Sequence, residues 1–399
     1  MARRWWAVPA LVGAAVALAA CGEDRGWKGS EKWASWGDGT VIIPQPGDPP
    51  VGEGNAAEPG TPAPGGPITA ADCLALVTAE GRRIHVAADA APGGDGSEAA
   101  PFRSIQAALA GAAPGDTVVL APGRYAEDVR TVRDGTRAEP IAIVGAPGAV
   151  VQGAGAENVI AIDHDHHLLC GFTVDGLHGD RGSAAGYRDG LLRAAGVTGL
   201  RLLAMDFRNA GGACVRIAGG SNGNEVAWSA FEACGVRDFV FGGAGRSGEA
   251  IAIGTASGAG EPDRSDENHV HDNRFDTGGN ECVAIEAPSA GNVIERNRCT
   301  GQLDAASGGM ASRGSGNLFL DNEIGGNVGA GIVLGGAGEA EGIDNVATGN
   351  VIRDNAGGGV KVTRAPQRRV CGNTLAGNAA GDAVGEHAAA YAPGAPCEE

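Results

Sequence analysis

Asn268-His-Val-His-Asp-Asn273, Asn292-Val-Ile-Glu-Arg-Asn297, Asn317-Leu-Phe-Leu-Asp-Asn322, Asn350-Val-Ile-Arg-Asp-Asn355 and Asn373-Thr-Leu-Ala-Gly-Asn378 repeat one pattern. An asparagine is followed two positions on by an apolar side chain and five positions on by a second asparagine. Asn224, Val226 and Ser229 form a weaker member. From Asn268 the intervals are 24, 25, 33 and 23 residues. Periods of this length mark a solenoid. The spacing predicts one coil of three short strands per period, with alternate side chains stacked inward as ladders. Asparagine suits the corners because it tolerates left-handed backbone and its amide can bond to the next coil. Ile141-Ala-Ile-Val144, Val159-Ile-Ala-Ile162, Leu168–Val174, Leu200-Arg-Leu-Leu203 and Cys214-Val-Arg-Ile217 read as strands of earlier coils. About ten coils are expected.

Composition agrees with this reading. The chain has 70 glycines among 399 residues and only 4% aromatics, which suits many turns and a core of modest side chains. The glycines show no strict three-residue period, which excludes collagen. A formal charge of −18, from 48 acids against 30 bases, repels nucleic acid. It also repels acidic polysaccharides unless a cation bridges them.

Outward from the repeats, the N-terminus reads as targeting sequence. Met1-Ala-Arg-Arg4 is followed by an apolar run from Trp5 to Ala20, the layout of a secretory leader. Leu18-Ala-Ala-Cys21-Gly22 resembles the bacterial lipobox, which implies cleavage before Cys21 and a lipid on it. An ordinary cleaved leader with an incidental cysteine is the plainer alternative. Residues 1–20 are thus the signal and residues 21–67 a Pro/Gly-rich tether that cannot bury a core. Residues 68–399 are the solenoid with its cap. Trp27, Trp33 and Trp36 of the tether have no assigned role.

Residues 68–79 read as a short helix, with Thr69 as N-cap and Cys73 tying it down. Eight cysteines follow Cys21, an even number that suits disulfides in an exported chain. Sequence proximity favours Cys214–Cys234, Cys282–Cys299 and Cys371–Cys397. No CxxC pair is present, which argues against a zinc–thiolate site.

Ile84–Ser97, Ala100–Leu109 and Ala113–Tyr125 read as a strand with a Gly/Asp loop, a helix with Phe102, Ile105 and Leu109 on one face, and a second strand. Such a helix covers the open end of a solenoid. With Pro114-Gly-Asp-Thr-Val118 and Pro122-Gly-Arg-Tyr125, the segment resembles the N-terminal part of pectate-lyase-like β-helix proteins. The resemblance implies an all-β fold: a single-stranded, right-handed parallel β-helix with a short N-terminal capping helix.

The chemistry is expected where long loops border flat strands. The longest excursion runs from Gly254 to Glu267, after Gly248-Glu-Ala-Ile-Ala-Ile-Gly254. Residues 248–300 partly resemble the chondroitinase B and alginate lyase family of β-helix lyases. In that family a calcium ion neutralises a uronate carboxylate, a lysine removes the neighbouring ring proton and an arginine assists the leaving oxygen. Glu281 falls on a calcium-ligand position. The lysine has no counterpart, because Glu286 or Pro288 stands in its place, and Val283 stands where a second calcium acid is expected. Glu249, Glu281, Glu286 and Arg313 are therefore the catalytic candidates, with Arg313 as ion-pair partner of Glu286. A structural pair on a solvated face is the plainer reading of those two.

Calcium is the candidate cofactor, with Glu281, Asp263 and Asp266 as ligands. Lys361, Arg364, His269 and His271 are candidate sugar contacts. Lys361 and Arg364 lie three coils beyond Glu281, about 15 Å away at roughly 4.8 Å per coil. Two acids flanking a sugar bond could also hydrolyse it, although no polygalacturonase signature such as NTD or GHG occurs. Asp163-His-Asp-His-His167 reads as a polar turn rather than a metal site. Asp175, Asp180 and Asp189 read as solvated, with calcium as the alternative.

Three functions follow as expectations. They are a tethered lyase-like enzyme on extracellular polysaccharide, a glycan- or envelope-binding protein without catalysis, and a purely structural surface protein. The chain is expected to be exported, monomeric and held at a bacterial membrane through Cys21.

Overall fold

The computed structural model describes residues 68, 70–77, 80–243, 247–255 and 263–398. The leader, Cys21, the tether and Thr69 lie outside the described residues.

Three parallel sheets of 11, 10 and 10 strands wind into a right-handed parallel β-helix. The first sheet runs from Arg83–Val86 to Arg369–Val370, the second from Gly123–Tyr125 to Thr374–Ala376, and the third from Val129–Arg130 to Ala383–Val384. Side chains in register stack inward. Phe207, Phe231 and Phe275 form a column in the second sheet, with ring centroids 5.1 and 4.8 Å apart. Ile251, Val283, Met310, Ile332 and Val360 form one in the third sheet. Each such fully buried side chain contributes about 1.5–3 kcal/mol.

Asparagine ladders hold the corners, and here the structure corrects the sequence register. Asn224, Asn268, Asn292, Asn317 and Asn345 form one column, each backbone N–H donating to the next amide oxygen. Asn273, Asn297, Asn322, Asn350 and Asn373 form a second. Asn327, Asn355 and Asn378 form a third. Asn350 thus continues Asn322 rather than Asn317. The pattern recurs every five residues within one coil, as in Asn322-Glu-Ile-Gly-Gly-Asn327, so it matches a shifted copy of itself. Asn345 is the true successor of Asn317, 28 residues on. The left-handed residues beside these columns are also not the ladder asparagines. They include the residues just before ladder asparagines of all three columns: Glu267 and Asp344 before the first, Asp272, Arg296 and Asp321 before the second, and Asp354 before the third, with φ of 50–59°.

Both capping helices form in the expected segments, with shifted boundaries. The first spans Ala70–Ala75 and is pinned by Cys73–Cys170. The second begins at Ile105, capped by Ser104 Oγ accepting from Ala107 N at 3.2 Å. Phe102 precedes it and bridges to Val86 as extended chain instead of sharing the helical face. Cys214–Cys234, Cys282–Cys299 and Cys371–Cys397 are all bonded. Four disulfides suit an exported protein.

Asp163–His166 form the turn expected between the strands Asn158–Ile162 and His167–Cys170. His167 is buried, with Nε2 donating to Arg133 O at 3.0 Å and Nδ1 lacking a hydrogen-bond partner among the described residues. Protonation would leave a buried N–H without an acceptor, and burial holds its pKa down at about 4. The unfolded chain takes up this proton near the ordinary histidine pKa of about 6.5. Stability from this group is therefore complete above that value and is lost as pH falls toward 4. The shift corresponds to roughly 3 kcal/mol at about 1.4 kcal/mol per unit. Denaturation midpoints measured from pH 7 to 4 should fall less steeply in His167→Phe than in wild type.

Candidate active site on the third sheet

The outward face of the third sheet carries one column of residues in register: Arg130, Ala161, Arg193, Arg216, Ala252, Ala284, Ala311, Val333 and Lys361. The strand alternation that turns Ile251 and Ile253 inward turns Ala252 outward. Alanines thus floor the middle of the face, with cations toward both ends. A shallow trough covers the early coils. It consists of a hollow of about 240 Å³ lined by Asp128, Arg130, Glu157 and Arg193, and another of about 250 Å³ lined by Asn158, Arg216, Arg237 and Ser247.

Glu249, Glu281, Glu286 and Arg313 converge beside the alanine floor. Glu249 and Glu281 enter just before the strands Ile251–Ile253 and Val283–Ile285, while Glu286 and Arg313 leave just after Val283–Ile285 and Gly308–Ser312. Parallel register therefore stacks them within neighbouring coils. The Arg313 guanidinium donates to Glu286 Oε1 and to Glu281 Oε1, each at 2.9 Å. Ser307 Oγ donates a short hydrogen bond to the same Glu281 oxygen. Glu281 is fully buried, and its Oε2 has no hydrogen-bond partner among the described residues. Burial, and then the neighbouring Glu281, push the Glu249 carboxyl above the ordinary glutamate range. Glu286 is raised chiefly by burial, which outweighs Arg313. Two carboxyls whose pKa is raised above the ordinary range, beside a guanidinium, are the kind of group that can exchange protons with a bound ligand.

The other candidates distribute differently. Lys361 reaches back toward the cluster, with Nζ donating to Ala306 O at 3.2 Å, next to Ser307. Distance along the coils concealed this, because the loop before Gly308 folds toward the lysine. Arg364 donates to Ala337, Gly338 and Thr363 carbonyls at 2.8–3.2 Å, so it braces a wall loop.

His269 and His271 belong to the first sheet, away from this face. There His269 bonds Glu295 at 2.8 Å, and His271 bonds Asp272 and Glu225 at 2.7 and 3.2 Å. Burial lowers the His269 pKa. For His271 burial also opposes charge, but Asp272 and Glu225 outweigh it and raise the pKa.

The residues do not fit the expected calcium site. Asp263 accepts from Gly219 N, Gly220 N, Thr255 Oγ and Ser265 Oγ at 2.6–3.0 Å, and Asp266 accepts from Ala290 N at 2.8 Å. Both tie the described segment from Asp263 to Glu267 to neighbouring coils. Among the described residues no three His, Cys, Asp or Glu side chains are grouped to hold a metal ion. Arg216 and Ser307 escaped the sequence reading. Arg216 was findable, since alternation in Cys214-Val-Arg-Ile217 turns it outward; Ser307 lies in a loop with no pattern.

Comparison with known proteins agrees with the architecture. Residues 249–387 match the family model described as "Periplasmic copper-binding protein (NosD)". Residues 89–132 match "Protein of unknown function (DUF1565)". An alginate lyase from Paenibacillus sp. str. FPU-7 superposes with a TM-score of 0.59 at 19% identity, over 76% of this chain and 99% of that one. Pectate lyase Pel9A superposes with a TM-score of 0.55 at 15% identity, over 79% and 81%. At these identities the likeness is one of fold: this chain, like those lyases, is a right-handed parallel β-helix. No curated protein matches the sequence.

Proposed function

We propose that this protein is a carbohydrate-active β-helix protein that seats an extended extracellular polysaccharide along the third sheet and cleaves it in a lyase-like reaction. It acts as an exported monomer, tethered to the membrane through a lipid on Cys21. The observation that carries this reading is the convergence of Glu281 and Glu286 on Arg313, with Glu249 in electrostatic reach, beside the outward face of the third sheet. A flat, loop-walled strand face suits an extended sugar chain. In elimination, an ionised carboxylate takes the ring proton, the glycosidic C–O bond breaks, and a protonated carboxyl such as Glu249 or Glu286 delivers a proton to the departing oxygen. Calcium has no part in this proposal, because its expected ligands are scattered.

The test is a panel of acidic and neutral polysaccharides read both for unsaturated sugar ends by ultraviolet absorbance and for new reducing ends. Both signals should appear together on one acidic polysaccharide and fall at least about 100-fold in Glu286→Gln. Reducing ends without unsaturation would indicate hydrolysis. A second reading, glycan binding without cleavage, is favoured by the complete burial of Glu281 and by the engagement of Lys361 with Ala306. Binding with neither product on any polysaccharide would select it and overturn the enzymatic reading.

A further inference from the structure

The cations of the third-sheet face are committed, with one exception. Arg193 pairs with Asp163 at 3.1 Å, Arg313 with Glu281 and Glu286, and Lys361 with the Ala306 carbonyl. Arg237, across the trough, pairs with Asp189. The Arg216 guanidinium makes no hydrogen bond and no ion pair at contact distance among the described residues, and acts on Glu249 and Glu286 only from a distance. It is half-buried, and its register partner on the preceding strand is another arginine, Arg193. Like charges directly opposite on one sheet face are unfavourable, as is a partly desolvated guanidinium without an acceptor. Neither the core nor the ladders require this arrangement.

Arg216 also has space before it. It lines the hollow of about 250 Å³ together with Asn158, Ser247, Arg237 and the acids Glu157, Asp189 and Asp238, of which Asp189 is taken up by Arg237, and Gly211 and Gly212 keep side chains out of it. One coil further on, its register partner is Ala252, the first alanine of the floor. Its charge is felt at both Glu249 and Glu286. A group bound there lies about one coil spacing, roughly 4.8 Å, from the alanine floor beside the acids.

We infer that Arg216 is a specificity-determining residue that binds the anionic group of an acidic sugar directly, with no metal ion between them. The inference rests on the reading of the third sheet as a glycan groove. It also resolves a tension in the composition: a chain of formal charge −18 can accept an acidic glycan where a guanidinium with no hydrogen-bonded acceptor among the described residues supplies the countercharge. A planar guanidinium matches a carboxylate or sulfate with two parallel hydrogen bonds, so recognition persists when divalent ions are removed.

The experiment is calorimetric titration of the full-length protein with hexasaccharides: oligogalacturonate, oligomannuronate, chondroitin sulfate and neutral cellohexaose. Each is measured in chelator and again in calcium. Wild type should bind at least one acidic hexasaccharide equally well in both buffers. Arg216→Gln should weaken that binding at least tenfold with a melting temperature equal to or above that of wild type, and Arg216→Lys should recover part of the binding. The order among the acidic probes separates carboxylate from sulfate as the preferred anion. Binding that vanishes in chelator, or an Arg216→Gln affinity equal to wild type, overturns the inference. Binding of cellohexaose alone overturns it and leaves the groove standing. No binding by wild type to any hexasaccharide overturns the groove and this inference together. If Arg216→Gln does not fold, equal affinity of Arg216→Lys and wild type in chelator is the overturning result.

Discussion

Arg313→Ala should cost both stability and activity. The guanidinium is the shared partner of Glu281 and Glu286. Without it, a fully buried Glu281 keeps Ser307 as its hydrogen-bond partner for one oxygen and none for the other. Breaking a buried pair by removing one member costs about 3–5 kcal/mol, because the remaining charge is left uncompensated. Arg313 is itself 36% exposed, which moves the expectation to the lower end, about 3 kcal/mol. Denaturant midpoints should show this. Adding Glu281→Gln should restore much of the stability, since the orphaned charge is then gone. Glycan turnover should stay at least about 100-fold below wild type in both variants. Recovery of turnover together with stability would mean that the cluster only holds the fold.

Asn322→Leu should be among the most destabilising single changes in the ladders. Its Oδ1 accepts from both the backbone and side-chain nitrogens of Asn297, and its Nδ2 donates to Ile294 O and Asn350 Oδ1, at 2.8–3.1 Å. Leucine has similar bulk but satisfies none of these groups. Each buried polar group left unpaired costs about 1–3 kcal/mol, so a loss of about 4 kcal/mol is expected in chemical denaturation. The same change at Asn378, near the end of its column, removes fewer bonds and should cost about half as much. Equal costs would show that the ladder is not cooperative along its length.

The fold was legible because its signal is redundant. Asparagine spacing, glycine content and the capping segment each point to stacked coils, and a parallel solenoid repeats the same local physics in every coil. The register was harder to read. Asn345 and Asn350 both satisfy the pattern, and only the hydrogen-bond ladder distinguishes them. Glu249, Glu281, Glu286 and Arg313 could be proposed together because register in a parallel sheet follows from coil length. His269 and His271 could not be assigned that way. They lie close in sequence to Glu281, but a β-helix turns successive strands onto different faces, so sequence neighbours diverge while residues one coil apart meet. The acids of the Gly254–Glu267 excursion resembled metal ligands, yet Asp263 is used by the backbone nitrogens of Gly219 and Gly220. A charged turn residue looks the same in sequence whether it binds an ion or a peptide N–H.

The most direct test of the central claim is a hydrogen–deuterium exchange footprint of the full-length protein with the tightest-binding hexasaccharide. The account expects slowed exchange on the third-sheet face, in residues 211–217, 235–243 and 301–314. Protection of the His269–His271 strand or of Arg274–Asp276 instead, with these segments unchanged, would contradict it.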